Sequence, residues 1–189
     1  MSILKPLTLA CAALLPTTVF ADWSGGYAGL NFGTTTGDLD FFDTDVAQEL
    51  DDGTTVGVFA GYQVQSGAFV YGGEVAIFNT SDAFVTGFSE SEISEPMFDF
   101  KARGGYTIDD VLLYGLLGMS SGIYTNLPDD EWDVSGLNYG IGAEYIIGDK
   151  FVVGAEYLVR DLEGDNPDGG GQTVQIDFDT LSFRASYKF

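Results

Sequence analysis

Apolar and polar side chains alternate along most of the chain, and the last nine residues show this pattern most clearly. Leu181, Phe183, Ala185, Tyr187 and Phe189 occupy every second position, with serine, arginine and lysine between them. A period of two places the two sets on opposite faces of a β-strand. The pattern therefore predicts a carboxy-terminal strand that ends on an aromatic residue.

Seven further segments alternate in a similar way, so the sequence predicts eight strands. In most of them one face is apolar, whereas the other carries glycine and charged residues. The fifth strand is apolar on both faces, so its register stays unassigned. The predicted strands cover residues 23–34, 54–65, 68–79, 97–107, 111–121, 136–147, 151–162 and 173–189.

The connections between these strands alternate between long and short. The short ones, at residues 66–67, 108–110 and 148–150, contain the glycine and aspartate typical of tight turns. The long ones cover residues 35–53, 80–96, 122–135 and 163–172. This order predicts an all-β, eight-stranded antiparallel up-and-down barrel with both chain ends on the short-turn side. The alternative, a soluble β-sandwich, gives no reason for such sorted connections.

Residues 1–21 have the pattern of a cleaved signal peptide, so residues 22–189 are predicted to form the barrel domain. Lys5 precedes an apolar run, and Val19-Phe20-Ala21 forms a cleavage site before Asp22. A lipoprotein site at Cys11 fits less well, because Thr8 stands where an aliphatic residue belongs. No later stretch is apolar for the roughly 20 residues that a transmembrane helix needs. If the chain spans a membrane, it must therefore do so as a closed barrel.

Aromatic residues favour lipid over water as the environment of the apolar face. Eight of them lie near the short-turn ends of their strands, where they would form a girdle at a membrane interface. They are Tyr62, Phe69, Tyr71, Tyr106, Tyr145, Phe151, Tyr187 and Phe189.

Six loose motifs occur in a characteristic order and spacing: Asp22-Trp-Ser-Gly-Gly-Tyr-Ala-Gly-Leu-Asn-Phe-Gly33, Gly72-Gly-Glu74, Lys101-Ala-Arg-Gly-Gly-Tyr106, Gly140-Ile-Gly-Ala-Glu-Tyr145, Glu156-Tyr157 with Asp161-Leu162, and Tyr187-Lys-Phe189. Together they resemble the small outer-membrane β-barrel family, related to the OmpA-like transmembrane domains and porin-like proteins of Gram-negative bacteria. The resemblance covers residues 22–189. It implies localisation in the cell outer membrane, contact with its lipids and lipopolysaccharide, and a structural or host-contact role at the cell surface. It also implies that the outer-membrane assembly machinery recognises the last strand, through Phe183, Tyr187 and Phe189.

Composition excludes several other classes of function. A net charge of −22 opposes nucleic-acid binding, which needs a basic surface. The chain has no histidine, the usual base of outer-membrane lipases, deacylases and proteases, so we expect a protein without enzymatic activity. The only cysteine lies in the predicted signal peptide, so no disulfide, thiolate metal site or cofactor is expected.

Charged residues on the inward face are the strongest candidate site. Because eight strands enclose only enough space for side chains, we expect these charges to pair and close the interior, with Glu74 and Glu156 sharing a network with Arg103 and Arg184. The alternative is a selective ion path. The predicted lumen charge network comprises Glu74, Asp99, Lys101, Arg103, Glu144, Glu156, Arg160 and Arg184.

Acidic residues concentrate in the long connections. A solvated surface is the simpler interpretation, and divalent cations bridging these residues to lipopolysaccharide are the alternative. The predicted function is therefore a structural, surface-exposed outer-membrane barrel with acidic extracellular loops. A narrow porin-like channel or small-solute transporter is one alternative, and an adhesin or ligand-binding surface protein is another. The acidic positions are Asp38, Asp40, Asp43, Asp45, Glu49, Asp51, Asp52, Asp129, Asp130, Glu131 and Asp133.

Overall fold

In the computed structural model, every strand pairs with its neighbours in sequence, and the first strand pairs with the last to close a barrel. All eight pairings are antiparallel. The predicted fold class is therefore confirmed. The structure describes residues 21–41, 48–81, 96–126, 130–165 and 173–189, and the predicted signal peptide lies almost entirely outside them.

The strands are longer than a membrane-crossing strand needs to be. In chain order they are β1 (Gly25–Phe41), β2 (Gln48–Ser66), β3 (Phe69–Ser81), β4 (Met97–Ile108), β5 (Val111–Asn126), β6 (Asp130–Ile147), β7 (Phe151–Asp165) and β8 (Thr173–Lys188). Within the described part of the chain, no helix has the length and hydropathy needed to cross a membrane.

The register of the strand pairs determines how far the strands tilt. The residues paired in register with Ala28 lead through β2 to β8 and return to β1 at Asp38, ten residues further along. A stagger of this size over eight strands corresponds to a tilt of roughly 40° and an interior just wide enough for side chains. The charged groups inside must therefore lie close to one another.

The short turns use residues that tolerate a left-handed backbone. Gly67, Asp109 and Gly148 have φ values of 63°, 53° and 64° in the turns that follow β2, β4 and β6. Glycine and aspartate adopt this conformation at low cost, which lets adjacent strands reverse direction within two or three residues. β1 begins and β8 ends at this short-turn side of the barrel.

The outer surface is apolar, as the alternating pattern predicts. Leu30, Val58 and Phe100 are more than half exposed, and the eight predicted girdle aromatics are all exposed on this face. The structure also assigns the register of β5, in which Leu113 and Leu117 face outward while Leu112 and Leu116 are buried inside. An apolar belt of this kind is the surface that a bilayer covers.

The predicted strand ends on the long-connection side need correction. β1 continues to Phe41, and β2 already begins at Gln48. In the β5–β6 hairpin, β5 continues to Asn126 and β6 begins at Asp130. Backbone hydrogen bonding does not require apolar side chains in water, so the ladder continues after the apolar alternation has ended. At the other side, Trp23 was expected within the first strand, yet that strand begins at Gly25.

The same extension changes where the acidic residues lie. Eight of the eleven predicted loop acids belong to strands and not to loops, whereas Asp43, Asp45 and Asp129 fall outside the described residues. The acidic part of the surface is therefore carried largely by hairpins that continue beyond the apolar belt. The strand members are Asp38, Asp40, Glu49, Asp51, Asp52, Asp130, Glu131 and Asp133.

The carboxy terminus contributes directly to barrel closure. The backbone N–H of Phe189 donates to the carbonyl of Gly26 at 2.9 Å, and its exposed ring lies 5.8 Å from that of Tyr187. Deleting Phe189 should therefore reduce assembly into the outer membrane while leaving export intact. Fractionation of cells that express the truncated chain measures this, with Phe189→Tyr as the matched control. Equal outer-membrane yields of the truncated and complete chains would count against this role.

Candidate functional site

A cluster of three cations and three carboxylates occupies the middle of the barrel. Lys101 and Arg103 extend from β4, Arg184 from β8, and the carboxylates of Glu74, Glu144 and Glu156 from β3, β6 and β7. Each of these six side chains is at most 5% exposed. We refer to these six residues as the charge cluster.

Glu74 is the centre of the charge cluster. Its Oε1 lies 2.8 Å from Lys101 Nζ, and its Oε2 lies 3.1 Å from Arg103 Nη1 and 2.5 Å from Arg184 Nη2. The hydroxyl of Tyr27 donates to the same Oε2 at 3.0 Å. This one carboxylate therefore binds all three cations of the charge cluster.

The other two carboxylates complete the charge cluster. Glu156 lies 2.8 Å from Lys101 and 3.0 Å from Arg184, whereas Glu144 lies 2.7 Å from Arg103 and 3.3 Å from Arg184. The sum of the six formal charges is zero. This balance stabilises the charge cluster, because a buried ion without a partner would lose its hydration without compensation.

Aromatic rings enclose the charge cluster. The guanidinium of Arg103 lies 3.9 Å from the centroid of the Tyr114 ring, and that of Arg184 lies 3.8 Å from the Phe59 ring. The Tyr114 hydroxyl also donates to Glu156 at 2.9 Å. Cation–π contacts become stronger when water is excluded, so these rings both fill space and stabilise the cations.

A second polar layer lies toward the long-connection side and takes one side chain from each strand. Arg160 forms a two-point contact with Asp99, through Nε at 3.1 Å and Nη2 at 2.8 Å, and its Nη1 donates to Thr180 at 2.8 Å. Direct hydrogen bonds of 2.5–3.1 Å join the remaining hydroxyl and amide groups to this pair. The eight members are Thr35, Thr55, Thr80, Asp99, Ser120, Asn138, Arg160 and Thr180.

Apolar side chains close both ends of the interior. Met97 and Phe178 are buried on the long-connection side, and the Phe78 ring stacks on the Arg160 guanidinium at 4.2 Å. At the short-turn side, Trp23 is completely buried among residues that include Val70 and Leu112. The interior thus combines two polar layers with buried apolar side chains toward both ends.

All eight residues of the predicted lumen network lie inside the barrel and are paired. Six form the charge cluster, while Asp99 and Arg160 belong to the second polar layer. Arg103 contacts Glu74 but not Glu156, and its second partner is Glu144. Phe183, Tyr187 and Phe189, the predicted assembly residues, are all exposed on the outer face.

Sequence reasoning missed Tyr27, Tyr114, Trp23 and the threonines Thr35, Thr80 and Thr180 as interior residues. Tyr27 and the threonines lie at inward positions by parity, which was a usable signal. Trp23 has no such signal, because it precedes the strand. Among the described residues, no group of three or more acidic side chains has the geometry to hold a metal ion.

Comparison with known proteins identifies a matching family and several outer-membrane relatives. A family model described as "Outer membrane protein beta-barrel domain" matches residues 7–189. The 25 kDa outer-membrane immunogenic protein of Brucella melitensis is 29% identical over the full length of both chains. The 31 kDa outer-membrane immunogenic protein of Brucella suis is 30% identical, with 92% of this chain and 86% of that protein covered.

Two solved structures share the fold. Neisserial surface protein A superposes with a TM-score of 0.56 at 15% identity, covering 88% of this chain and 98% of that one. The attachment invasion locus protein of Yersinia pestis superposes with a TM-score of 0.51 at 18% identity, covering 87% and 99%. At these identities the likeness establishes the architecture and not a shared activity.

Close packing around the charge cluster gives a test of the interior. A Cβ added at Gly142 would overlap the ring of Tyr114, whereas one added at Gly104, on the outer face, meets nothing within 4 Å. Gly142→Ala should therefore destabilise the barrel by about 1–3 kcal/mol, the usual cost of overpacking. Gly104→Ala should leave the stability nearly unchanged. Comparing the temperatures at which both variants lose their folded gel mobility checks this, and equal values would contradict the packed interior.

Proposed function

The chain belongs to the family of outer membrane protein β-barrel domains, and we propose that it serves as a structural, surface-exposed protein whose barrel is closed to solutes. Its place is the outer membrane, where lipid covers the apolar belt. The observation that carries the proposal is the neutral charge cluster, in which Glu74 binds all three cations.

The charge cluster favours a closed barrel over a channel for an electrostatic reason. A conducting pore needs charged groups that face water and exchange partners with a passing ion. Here each cluster cation is within 3.1 Å of two carboxylate groups, and Arg184 lies near three. An ion entering this layer would have to break several buried pairs at once.

A structural role without catalysis is supported by the same contacts. The carboxylates of the charge cluster are occupied by cations, so none is placed to act as a base toward a substrate. The sequence also supplies no histidine. The Brucella relatives are named as immunogenic outer-membrane proteins, which supports exposure at the cell surface.

Electrical recording tests the closed barrel against the narrow-channel alternative. The purified protein, inserted in a planar lipid bilayer, should show no steady conductance, because the charge cluster spans the lumen. A large and steady conductance of the unmodified protein would overturn the proposal and establish the channel. The empty bilayer and a known porin provide the two reference levels.

The charge cluster should also be thermodynamically coupled. Arg184→Ala leaves Glu74 and Glu156 with one cation fewer and should cost about 3–5 kcal/mol if no water enters. Glu156→Ala combined with Arg184→Ala should cost less than the sum of the two single changes. Lys150→Ala, which removes an exposed cation between β6 and β7, should have almost no effect. Thermal or denaturant unfolding of the four variants measures this, and additive losses would contradict a shared network.

Divalent cations are proposed as a bridge between the acidic hairpins and lipopolysaccharide. Because the described residues form no complete cation site by themselves, the phosphates of the lipid must supply further ligands. Calcium titrated at low salt into bilayers that contain lipopolysaccharide should release more heat when the protein is present. Chelation should leave the barrel folded. Heat equal to that of the bilayers without protein would eliminate the bridge.

A further inference from the structure

The three residues before β1 do not continue its direction. Gly25 has a φ of 130°, a conformation that glycine adopts readily and other residues rarely do. This turn directs Asp22, Trp23 and Ser24 across the short-turn mouth of the barrel. Trp23 is 0% exposed, although it lies outside every strand.

Trp23 packs on inward side chains of several strands. The other members of its buried apolar group include Val70 of β3, Leu112 of β5, Ile146 of β6 and Val152 of β7. An indole ring is the largest side chain available, and here it shares one buried group with side chains from these four strands. Burial of this ring removes a large apolar surface from water and so favours the closed position.

Hydrogen bonds hold the segment from both sides of β1. On β2, Gln65 Oε1 accepts from the backbone N–H of Trp23 at 2.7 Å, and Gln63 Nε2 donates to the backbone carbonyl of Trp23 at 2.8 Å. The backbone N–H of Gln65 donates to Ser24 Oγ at 3.0 Å. On β8, Lys188 Nζ donates to the carbonyl of Asp22. The segment thus connects the two strands that flank β1, next to the seam where the barrel closes.

We propose that residues 22–24 form an amino-terminal latch, in which Trp23 seals the short-turn mouth and the backbone joins β2 to β8 across β1. The latch is a second closure in series with the charge cluster and does not depend on it. Water that reaches the mouth stops at Trp23 and does not reach the other members of its buried apolar group. Removal of the ring opens this group while the charge cluster still blocks the lumen above it.

Cysteine accessibility tests the latch directly. The sequence has one cysteine, Cys11, in the predicted signal peptide, so unsubstituted protein from the outer membrane provides the blank. Val152→Cys places a thiol in the buried apolar group that contains Trp23, and Ser120→Cys places one beyond the charge cluster in the second polar layer. Each is combined with Trp23, Trp23→Ala or Trp23→Phe. Labelling by a membrane-impermeant maleimide is then followed over time in detergent micelles.

The latch predicts slow labelling of both thiols when residue 23 is tryptophan or phenylalanine, since either ring fills the mouth. With Trp23→Ala, labelling at position 152 should become at least about tenfold faster, because a cavity then opens to the mouth. Position 120 should stay protected.

Equal labelling of position 152 in all three backgrounds would overturn the latch, as would fast labelling with Trp23 present. Fast labelling of position 120 with Trp23→Ala would show that the two closures are not independent. Fast labelling of position 120 with Trp23 present would instead show that the interior is open from the long-connection side and would count against the closed barrel. The failure of the latch and the failure of the proposed function are therefore distinguishable.

Discussion

The pairing of charges inside a narrow barrel is the constraint on which the rest of the structure depends. Eight strands at this stagger enclose an interior just wide enough for side chains, so each buried inward charge needs a partner on another strand. Glu74 satisfies this by accepting contacts from Lys101, Arg103 and Arg184 together. Glycines such as Gly142 follow from the same constraint, because a larger residue would displace the ring that covers the cations.

The distribution of charge over the molecule follows from its two environments. Lipid excludes charge from the outer belt, so inward positions and the hairpin ends receive nearly all of it. The three arginines all lie inside, where planar guanidinium groups bind carboxylates and stack on rings at the same time. Acidic residues are frequent in the sequence of the strand ends on the long-connection side. The chain is therefore strongly acidic overall and electrically balanced within its charge cluster.

Much of this arrangement is predictable from the alternating pattern, because a period of two assigns each residue to a face. The inward location of Glu74, Glu156, Arg103 and Arg184 follows from parity alone. The pairing of Arg103 with Glu144 does not, since it depends on the stagger between distant strands and on side-chain reach.

Three further features escaped the pattern for physical reasons. At the long-connection side, acids such as Asp38 and Asp40 replace the apolar residues of the same parity nearer the middle of β1, so hydropathy could not mark the strand ends. β5 is apolar on both faces because Leu112 and Leu116 fill the interior while Leu113 and Leu117 face lipid. Trp23 resembled a strand residue, and only the turn at Gly25 shows that it folds into the mouth.

Exchange of arginine side-chain protons is the most direct measure of whether water reaches the charge cluster. Arg103, Arg160 and Arg184 are the only arginines of the chain, so every such nuclear magnetic resonance signal reports on the interior. The account predicts resolved guanidinium protons that exchange with solvent far more slowly than those of free arginine. Exchange of the Arg103 and Arg184 protons at the rate of free arginine would show water around the charge cluster and contradict the closed barrel.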